Sequence, residues 1–200
     1  MDIESTSRSS LAEPHKAGGM PLMMALSRRH STRLYTDRPL SPQLLSDLLW
    51  AACGINRPAT GGRTAPSARN WHAIDIYLAA ADGAWRYEPE AHCLQRVLAS
   101  DVRASTGMQE FVGTAALDLV YVANLARMEA TDPLERRFYC GADAGAIAQN
   151  VYLFCAAEGL ATVVRGLVDR RALATALGLG ARQRVLLAQT VGFAALGPQR

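Results

Sequence analysis

A polar cluster, Arg28-Arg29-His30-Ser31-Thr32-Arg33, brings three guanidinium groups, an imidazole and hydroxyl groups together. Guanidinium groups bind phosphate through paired hydrogen bonds, and they also suit the acceptor edge of a heterocyclic ring. Alternate side chains of an extended stretch point the same way, so Arg29, Ser31 and Arg33 would face one groove. From the residue types alone two interpretations stay open: a site for a cofactor with a phosphate and a polar ring, or a solvated basic surface.

A second polar segment, Thr64-Ala65-Pro66-Ser67-Ala68-Arg69-Asn70, lies further along the chain. It closes a stretch over residues 54–70 that is rich in Gly, Pro, Thr, Ser and Asn and is predicted to be a loop. Long polar loops beside a compact core often carry function. The segment is therefore a second candidate for ligand contacts.

Size and charge restrict the class of protein. The length of 200 residues predicts one domain over residues 21–200, after a flexible tail over residues 1–20. A net charge of +3 is too small to argue for nucleic acid as a partner. The only lysine, Lys16, lies in the tail, so the domain has none for a pyridoxal Schiff base or a phosphate-binding loop.

Neither a membrane span nor a metal site is expected. No apolar run approaches the roughly 20 residues that a span needs, and the tail lacks an apolar signal core, so a cytoplasmic protein is predicted. The adjacent pair His92-Cys93 has no third ligand at a useful spacing. The cysteines are far apart and are predicted to be buried, reduced thiols: Cys53, Cys93, Cys140 and Cys155.

The signatures of several other enzyme classes are missing. The chain has no Gly-x-Ser-x-Gly and no His-Glu-x-x-His. Gly178-Leu179-Gly180 follows a predicted helix and lacks the third glycine of a dinucleotide-binding turn. A hydrolase, a metalloprotease or a dinucleotide-fold dehydrogenase is therefore disfavoured.

The hydrophobic pattern predicts an α+β fold. Helices are expected over residues 21–29, 41–53, 90–99, 102–113, 142–158 and 169–178. Strands are expected over residues 73–80, 82–88, 117–123, 161–164 and 185–193. Strands and helices do not alternate regularly, which argues against a doubly wound parallel sheet.

The polar segments, in this order and setting, resemble the flavin-dependent nitroreductase family. Arg29-His30-Ser31-Thr32-Arg33-Leu34-Tyr35 is similar to that family's Arg-(Arg/His)-Ser-x-(Arg/Lys)-x-(Phe/Tyr) opening. Pro66-Ser67-Ala68-x-Asn70 is similar to its Pro-Ser-(Ser/Ala)-x-Asn loop. Gln149-Asn150 and the turn Glu158-Gly159-Leu160-Ala161-Thr162 resemble its central helix and the entry to its next strand. The resemblance covers about residues 21–195, and some details resemble the branch of azoline-oxidising dehydrogenases.

The resemblance implies a central, mainly antiparallel sheet flanked by helices, in an intertwined homodimer with FMN at the interface. One set of residues would bind the FMN phosphate, ribityl chain and N1–O2 edge in one subunit: Arg29, His30, Ser31 and Arg33. Another set would reach the same flavin from the other subunit: Pro66, Ser67 and Asn70. Arg165 and Gly166 would flank flavin N5, and Gln109 would hydrogen-bond the pyrimidine edge. No catalytic side chain is implied, because the flavin carries the chemistry.

The implied activity is the reduction of nitro compounds, quinones or similar acceptors by NAD(P)H, with ping-pong kinetics. Two alternatives stay open, a flavin-dependent dehydrogenase of a metabolite or peptide azoline, and a non-catalytic flavin-binding partner protein. Two departures from the family pattern stand out. Trp71-His72 replaces the family's x-Gln-Pro after the loop, and Arg200 alone stands where many members carry a Lys/Arg pair for the phosphate.

Overall fold

The computed structural model describes residues 7–128 and 132–195. Its helices are α1 (Leu22–Arg28), α2 (Pro42–Cys53), α3 (Pro133–Glu158) and α4 (Arg170–Ala176). Its strands are β1 (Arg8–Ser10), β2 (Ile55–Arg57), β3 (Gly62–Arg63), β4 (Ile74–Ala80), β5 (Gly83–Glu88), β6 (Cys93–Leu98), β7 (Leu117–Asn124), β8 (Ala161–Arg165) and β9 (Gln183–Gly192).

A seven-stranded sheet in the order β1-β6-β5-β4-β7-β9-β8 forms the centre of the fold, and each of these neighbouring pairs is antiparallel. Side chains alternate across β7, as the strand period of two requires. Leu119 and Tyr121 pack in the core with α2 and α3, whereas Val120 and Val122 pack in a second core with Leu173 of α4. The sheet is therefore covered on both faces, which confirms the predicted α+β class.

The two helices of the larger core begin at side-chain caps. Ser41 Oγ accepts the backbone N–H of Leu44 at the start of α2, with Pro42 in the first turn. Asp132 Oδ1 accepts the backbone N–H of Leu134 at the start of α3. Gly159 ends α3 with φ 70°, a left-handed conformation that glycine adopts at low cost. These boundaries confirm the predicted helices over 41–53 and 142–158, except that α3 begins nine residues earlier.

Two of the predicted helices are wrong. Residues 90–99 contain β6, which is hydrogen-bonded to β1 on one side and to β5 on the other, and these pairings outweigh local helix propensity. Residues 102–113 form two short 3-10 turns, Arg103–Ser105 and Glu110–Gly113. Thr106 Oγ1 donates to the carbonyl of Arg103 and closes the first turn. A bend that contains Gly107 separates the first turn from the second.

The described part of the predicted tail makes contacts with distant segments. Within residues 1–20, Arg8–Ser10 pair with β6, and Ser46 Oγ donates to the Ala12 carbonyl. His15 pairs with Asp47 of α2 at 3.0 Å. These contacts are a strand pairing with β6 and hydrogen bonds to two side chains of α2, and no local pattern in the first 20 residues reveals them.

The described residues also bear on the predicted loop and cysteines. The predicted loop over 54–70 contains the short hairpin β2–β3. The cysteines are buried and free, as predicted: Cys53, Cys93, Cys140 and Cys155. Over residues 7–128 and 132–195, no helix is both long and apolar enough to span a bilayer. The same residues contain no group of three or more His, Cys, Asp or Glu that could hold a metal.

Candidate functional site

The Arg29–Arg33 segment follows α1 and lies against β8, which is an edge strand of the sheet. The backbone N–H of Thr32 donates to the Thr162 carbonyl at 2.9 Å. Thr32 is buried with 8% exposure, while Arg33 is exposed and Arg29 is half-buried. The segment therefore turns one residue into the protein and leaves its cations towards solvent.

Tyr152 of α3 holds the Arg29–Arg33 segment from the protein interior. Its hydroxyl oxygen lies 2.9 Å from Ser31 Oγ and also accepts the backbone N–H of Val164 at 2.9 Å. The Arg29 guanidinium stacks over the Tyr152 ring, 5.3 Å from its centre. A single buried tyrosine thus joins the cationic segment to β8.

The cations of this segment are available for an anionic ligand. None of the ion pairs among the described residues includes Arg29 or Arg33. The His30 ring is held by a 2.7 Å hydrogen bond from Nδ1 to the Arg28 carbonyl. Two guanidinium groups without a carboxylate partner match a phosphate dianion.

The end of β8 offers only its backbone to a ligand, because the Arg165 side chain does not reach the surface beside the Arg29–Arg33 segment. The Arg165 side chain is 2% exposed and points into the core, so Arg165 can meet a ligand only through its main chain. Gly166 and Leu167 are exposed directly after it. The backbone N–H of Met108 donates to the Leu167 carbonyl at 3.3 Å, which brings Gln109 beside this turn.

Gln109 carries an unused acceptor. Its Oε1 is buried and has no hydrogen-bond partner among the described residues. A buried polar atom without a partner costs free energy unless a ligand or water satisfies it. The side chain is therefore suited to accept a hydrogen bond from a ligand N–H.

The Pro66–Asn70 loop is attached to a different part of α3. Ser67 Oγ donates to Asp143 Oδ2 at 2.9 Å, and the backbone N–H of Ala68 donates to Asp143 Oδ1 at 3.1 Å. Ser67 Oγ also accepts the backbone N–H of His72 at 2.9 Å. Asp143 is 8% exposed and is the anchor of this loop.

The same loop has an unusual backbone. Arg69, Asn70 and His72 have φ values of 48°, 57° and 49°, in the left-handed region that non-glycine residues rarely adopt. Such conformations cost about 1 kcal/mol or more each and are found mainly where the surrounding structure enforces them. Pro66 and Asn70 are exposed. The loop thus presents Asn70 to solvent in a conformation that Asp143 helps to hold.

The two motifs are anchored at different positions of α3. Their anchors on α3, Tyr152 and Asp143, are nine residues apart. In an α-helix this separation is about 13 Å along the axis and about two and a half turns, which places the anchors on opposite sides.

Comparison with known proteins identifies the family. The model of the Nitroreductase family matches residues 26–193, which include both motifs and β8. The chain belongs to the nitroreductase family. The chain is 46% identical to a protein from Ralstonia eutropha JMP134 whose crystal structure is described as a candidate nitroreductase, with a TM-score of 0.92 over 98% of this chain and 93% of the other.

Two further relatives are informative. A protein of Methanocaldococcus jannaschii, named as a candidate nitroreductase, is 32% identical over 151 residues, 70% of this chain and 76% of the relative. The NADPH:FMN oxidoreductase from Vibrio harveyi, complexed with NAD+, shares the fold with a TM-score of 0.66 and 19% identity, over 90% of this chain and 71% of that chain. Family membership supports an oxidoreductase.

Three residues that support the candidate site were not predicted from the sequence. Tyr152, Asp143 and Asp118 hold the motifs or the segments beside them, yet none is in a recognisable motif. The available signal was a buried tyrosine or carboxylate on an otherwise apolar face, because such groups need hydrogen-bond partners. The predicted role of Arg200 lies outside the described residues.

Proposed function

We propose that this protein is a homodimeric, FMN-dependent oxidoreductase of the cytoplasm that uses NAD(P)H to reduce nitro compounds, quinones or similar small acceptors. The observation that carries the proposal is the placement of the Arg29–Arg33 segment along β8. This arrangement puts unpaired guanidinium groups on the sheet edge that ends in the exposed Gly166 turn. Neither nucleic acid nor a membrane is required as a partner.

The residues present fit FMN. The unpaired guanidiniums of Arg29 and Arg33 match its phosphate and its N1–O2 edge. The orphaned Gln109 Oε1 matches the N–H donor of the pyrimidine ring. Gly166 has no side chain between its backbone and a ring plane, as an approach to N5 by backbone amides requires.

Bound FMN would supply hydride transfer through N5, from the nicotinamide to the flavin and then from the flavin to the acceptor. The residues of the chain bind and orient. Arg33 would place positive charge where negative charge develops on reduction, which would favour the reduced state. Ser31, held by Tyr152, would contact the ribityl chain. No side chain is assigned to the chemical step.

A second copy of the chain is the proposed source of the Pro66, Ser67 and Asn70 contacts. Each chain holds its two motifs on opposite sides of α3, so a two-chain site uses both. Large apolar side chains are exposed on α1 and on the first turns of α3: Leu22 62%, Met23 74%, Leu134 75% and Phe138 68%. A Cβ added at Gly141 or Gly145 of α3 would meet nothing within 4 Å, so another helix can approach there. Exposed apolar area of this kind is typical of an interface.

The visible spectrum of natively purified protein, followed by anaerobic addition of NADPH, tests the proposal. We expect a yellow protein that bleaches and that releases FMN on denaturation. A yellow protein that NADPH does not bleach would favour the dehydrogenase alternative. A colourless protein that takes up no added FMN contradicts the proposal and makes the Arg29–Arg33 segment structural.

A further inference from the structure

A buried polar cluster lies beneath the Gly166 turn. Asp118, Thr106 and Thr190 have 0% exposure, and Arg165 has 4%. Asp118 and Thr190 lie on the neighbouring strands β7 and β9, Arg165 ends β8, and Thr106 belongs to the segment between β6 and β7. Four separate segments therefore meet at one guanidinium.

The Arg165 guanidinium uses each of its nitrogens. Nη2 donates to Asp118 Oδ1 at 2.7 Å and to Thr106 Oγ1 at 3.2 Å, and Nη1 donates to the Thr106 carbonyl at 2.9 Å. Nε donates to Thr190 Oγ1 at 3.0 Å. Thr190 Oγ1 in turn donates to Asp118 Oδ1. Burial raises the pKa of Asp118, and the adjacent guanidinium opposes this rise.

Stability alone is a weak reason for such a cluster. Replacing a buried ion pair by well-packed apolar residues is often neutral or stabilising, because desolvation offsets the attraction between the charges. A buried pair can instead fix one arrangement of the segments that it connects.

The cluster joins the two segments that we assign to the flavin ring. Arg165 immediately precedes Gly166, and its side chain holds the Thr106 carbonyl, three residues before Gln109. Gly107 leaves room for this contact, since a Cβ there would lie 1.9 Å from Arg165 Nη1. The Met108–Leu167 hydrogen bond joins the same two segments at the surface. The buried Arg165 guanidinium thus fixes the position of the Gly166 turn relative to the segment that carries Gln109.

We propose that the Asp118–Arg165 pair is a positioning device of the flavin site, which holds Gly166 and Gln109 in register and keeps the protein beneath the flavin electrically neutral. The proposal rests on the proposed function. Arg165 and Asp118 act through the segments that they hold and contact neither FMN nor substrate. Removing the negative charge alone would leave a buried cation near the ring, which favours the reduced flavin.

Asp118→Asn tests the charge. The amide keeps the shape and an acceptor oxygen, so we expect the reduced flavin to be favoured about tenfold, an upward shift of about 30 mV in a two-electron potential. Asp118→Asn/Arg165→Gln removes both charges, and its potential should return towards that of the wild type. Asp47→Asn, which removes a carboxylate from α2, is the matched control and should leave the potential unchanged.

Thr106→Val tests the position and remains informative if Asp118→Asn fails to fold. It removes the hydroxyl that Arg165 binds, in nearly the same volume, and we expect about fivefold weaker FMN binding. Thr106→Ser keeps the hydroxyl and should bind FMN like the wild type. Affinity is measured by quenching of FMN fluorescence, and folding by circular dichroism.

The outcomes separate the two proposals. A wild-type protein that takes up no FMN overturns both. If the wild type binds FMN, and folded Asp118→Asn and Thr106→Val keep its affinity and potential, only the positioning role is overturned. A loss of thermal stability without a change in potential or affinity also overturns it, because that pattern belongs to a purely structural cluster.

Discussion

Tyr152 and Asp143 lie nine residues apart on α3 and face opposite sides of the helix. Tyr152 holds Ser31 and the backbone of Val164, whereas Asp143 holds Ser67 and the backbone of Ala68. One helix therefore sets the distance between two ligand motifs that belong to different proposed sites. The first predictions concern these anchors and the residues that they hold.

Tyr152→Phe removes one hydroxyl and leaves the ring that packs in the core. The backbone N–H of Val164 loses its partner, so we expect the free energy of unfolding to fall by about 1–3 kcal/mol. Ser31 also loses its anchor, and FMN should dissociate several-fold more readily. Urea unfolding and an FMN titration measure the two effects.

Tyr77→Phe is the matched control for that substitution. It removes a hydroxyl that accepts a hydrogen bond from Gln183 in the smaller core, away from both motifs. Stability should fall while FMN affinity stays unchanged. If the two variants show the same FMN affinity, Tyr152 is not an anchor of the site.

Arg33→Ala should weaken FMN binding and lower the flavin reduction potential. A charge-assisted hydrogen bond contributes about 1.5–3 kcal/mol, so the affinity should fall at least tenfold. The potential falls because a cation beside N1 stabilises the charge that develops on reduction. Arg171→Ala, which removes an exposed guanidinium from α4, is the control. A mutant with an unchanged potential would sink the assignment of Arg33 to the N1–O2 edge.

Mixed dimers test whether two chains share each site. Arg33→Ala damages the β8 side, and Asn70→Gly removes an amide from the loop while glycine tolerates φ 57°. In a heterodimer of the two variants, one shared site carries both defects and the other carries none. We therefore expect about half of the wild-type tight FMN binding from two chains that bind poorly as homodimers. Heterodimers as poor as both parents would show that the motifs serve the same chain's site.

Stability should fall in mild acid through His92. Ser46 Oγ donates to the Ala12 carbonyl, so His92 Nε2–H donates to Ser46 at 2.7 Å and Nδ1 accepts from Tyr87 at 2.9 Å. Burial lowers the pKa of His92, so the folded protein binds this proton less readily than the unfolded chain. The contribution of His92 is complete above about pH 6.5 and is lost as the pH falls below it.

His92→Asn isolates this effect, because asparagine tolerates the left-handed φ of 45° at this position. Urea unfolding of both proteins at pH 7.5 and pH 5 supplies the comparison. The wild type should lose more unfolding free energy than the variant between these values. Equal losses would assign the acid sensitivity to other groups, such as the nearby Glu13 and Asp47.

Much of the fold could be predicted because its strongest elements are locally encoded. The strand β4 begins with alternating apolar residues, β7 is mostly apolar, and α2 begins with a Ser-Pro cap. The strand β6 was missed because its burial comes from pairing with β1 and β5 and not from its own pattern. The segment around Thr106 was also missed, since it is held by Arg165, 59 residues away.

The candidate site also combines residues that the sequence predicts with residues that it does not. The Arg29–Arg33 and Pro66–Asn70 motifs are contiguous and could be recognised from the sequence. Their anchors, Tyr152 and Asp143, are 121 and 76 residues away from Ser31 and Ser67. A sequence pattern of short range carries no record of such contacts. The assignment of individual residues to FMN stays a prediction.

The long span between Ser31 and Tyr152 has a consequence for biosynthesis. The cationic segment is among the first parts of the domain to be translated, yet the strand and helix that hold it are made 121 or more residues later. Because non-local contacts form only after the intervening chain is available, a nascent chain cannot assemble this half-site until β8 has left the ribosome. If the proposed function holds, FMN would bind only after β8 has been made, and it could not template the earlier stages of folding.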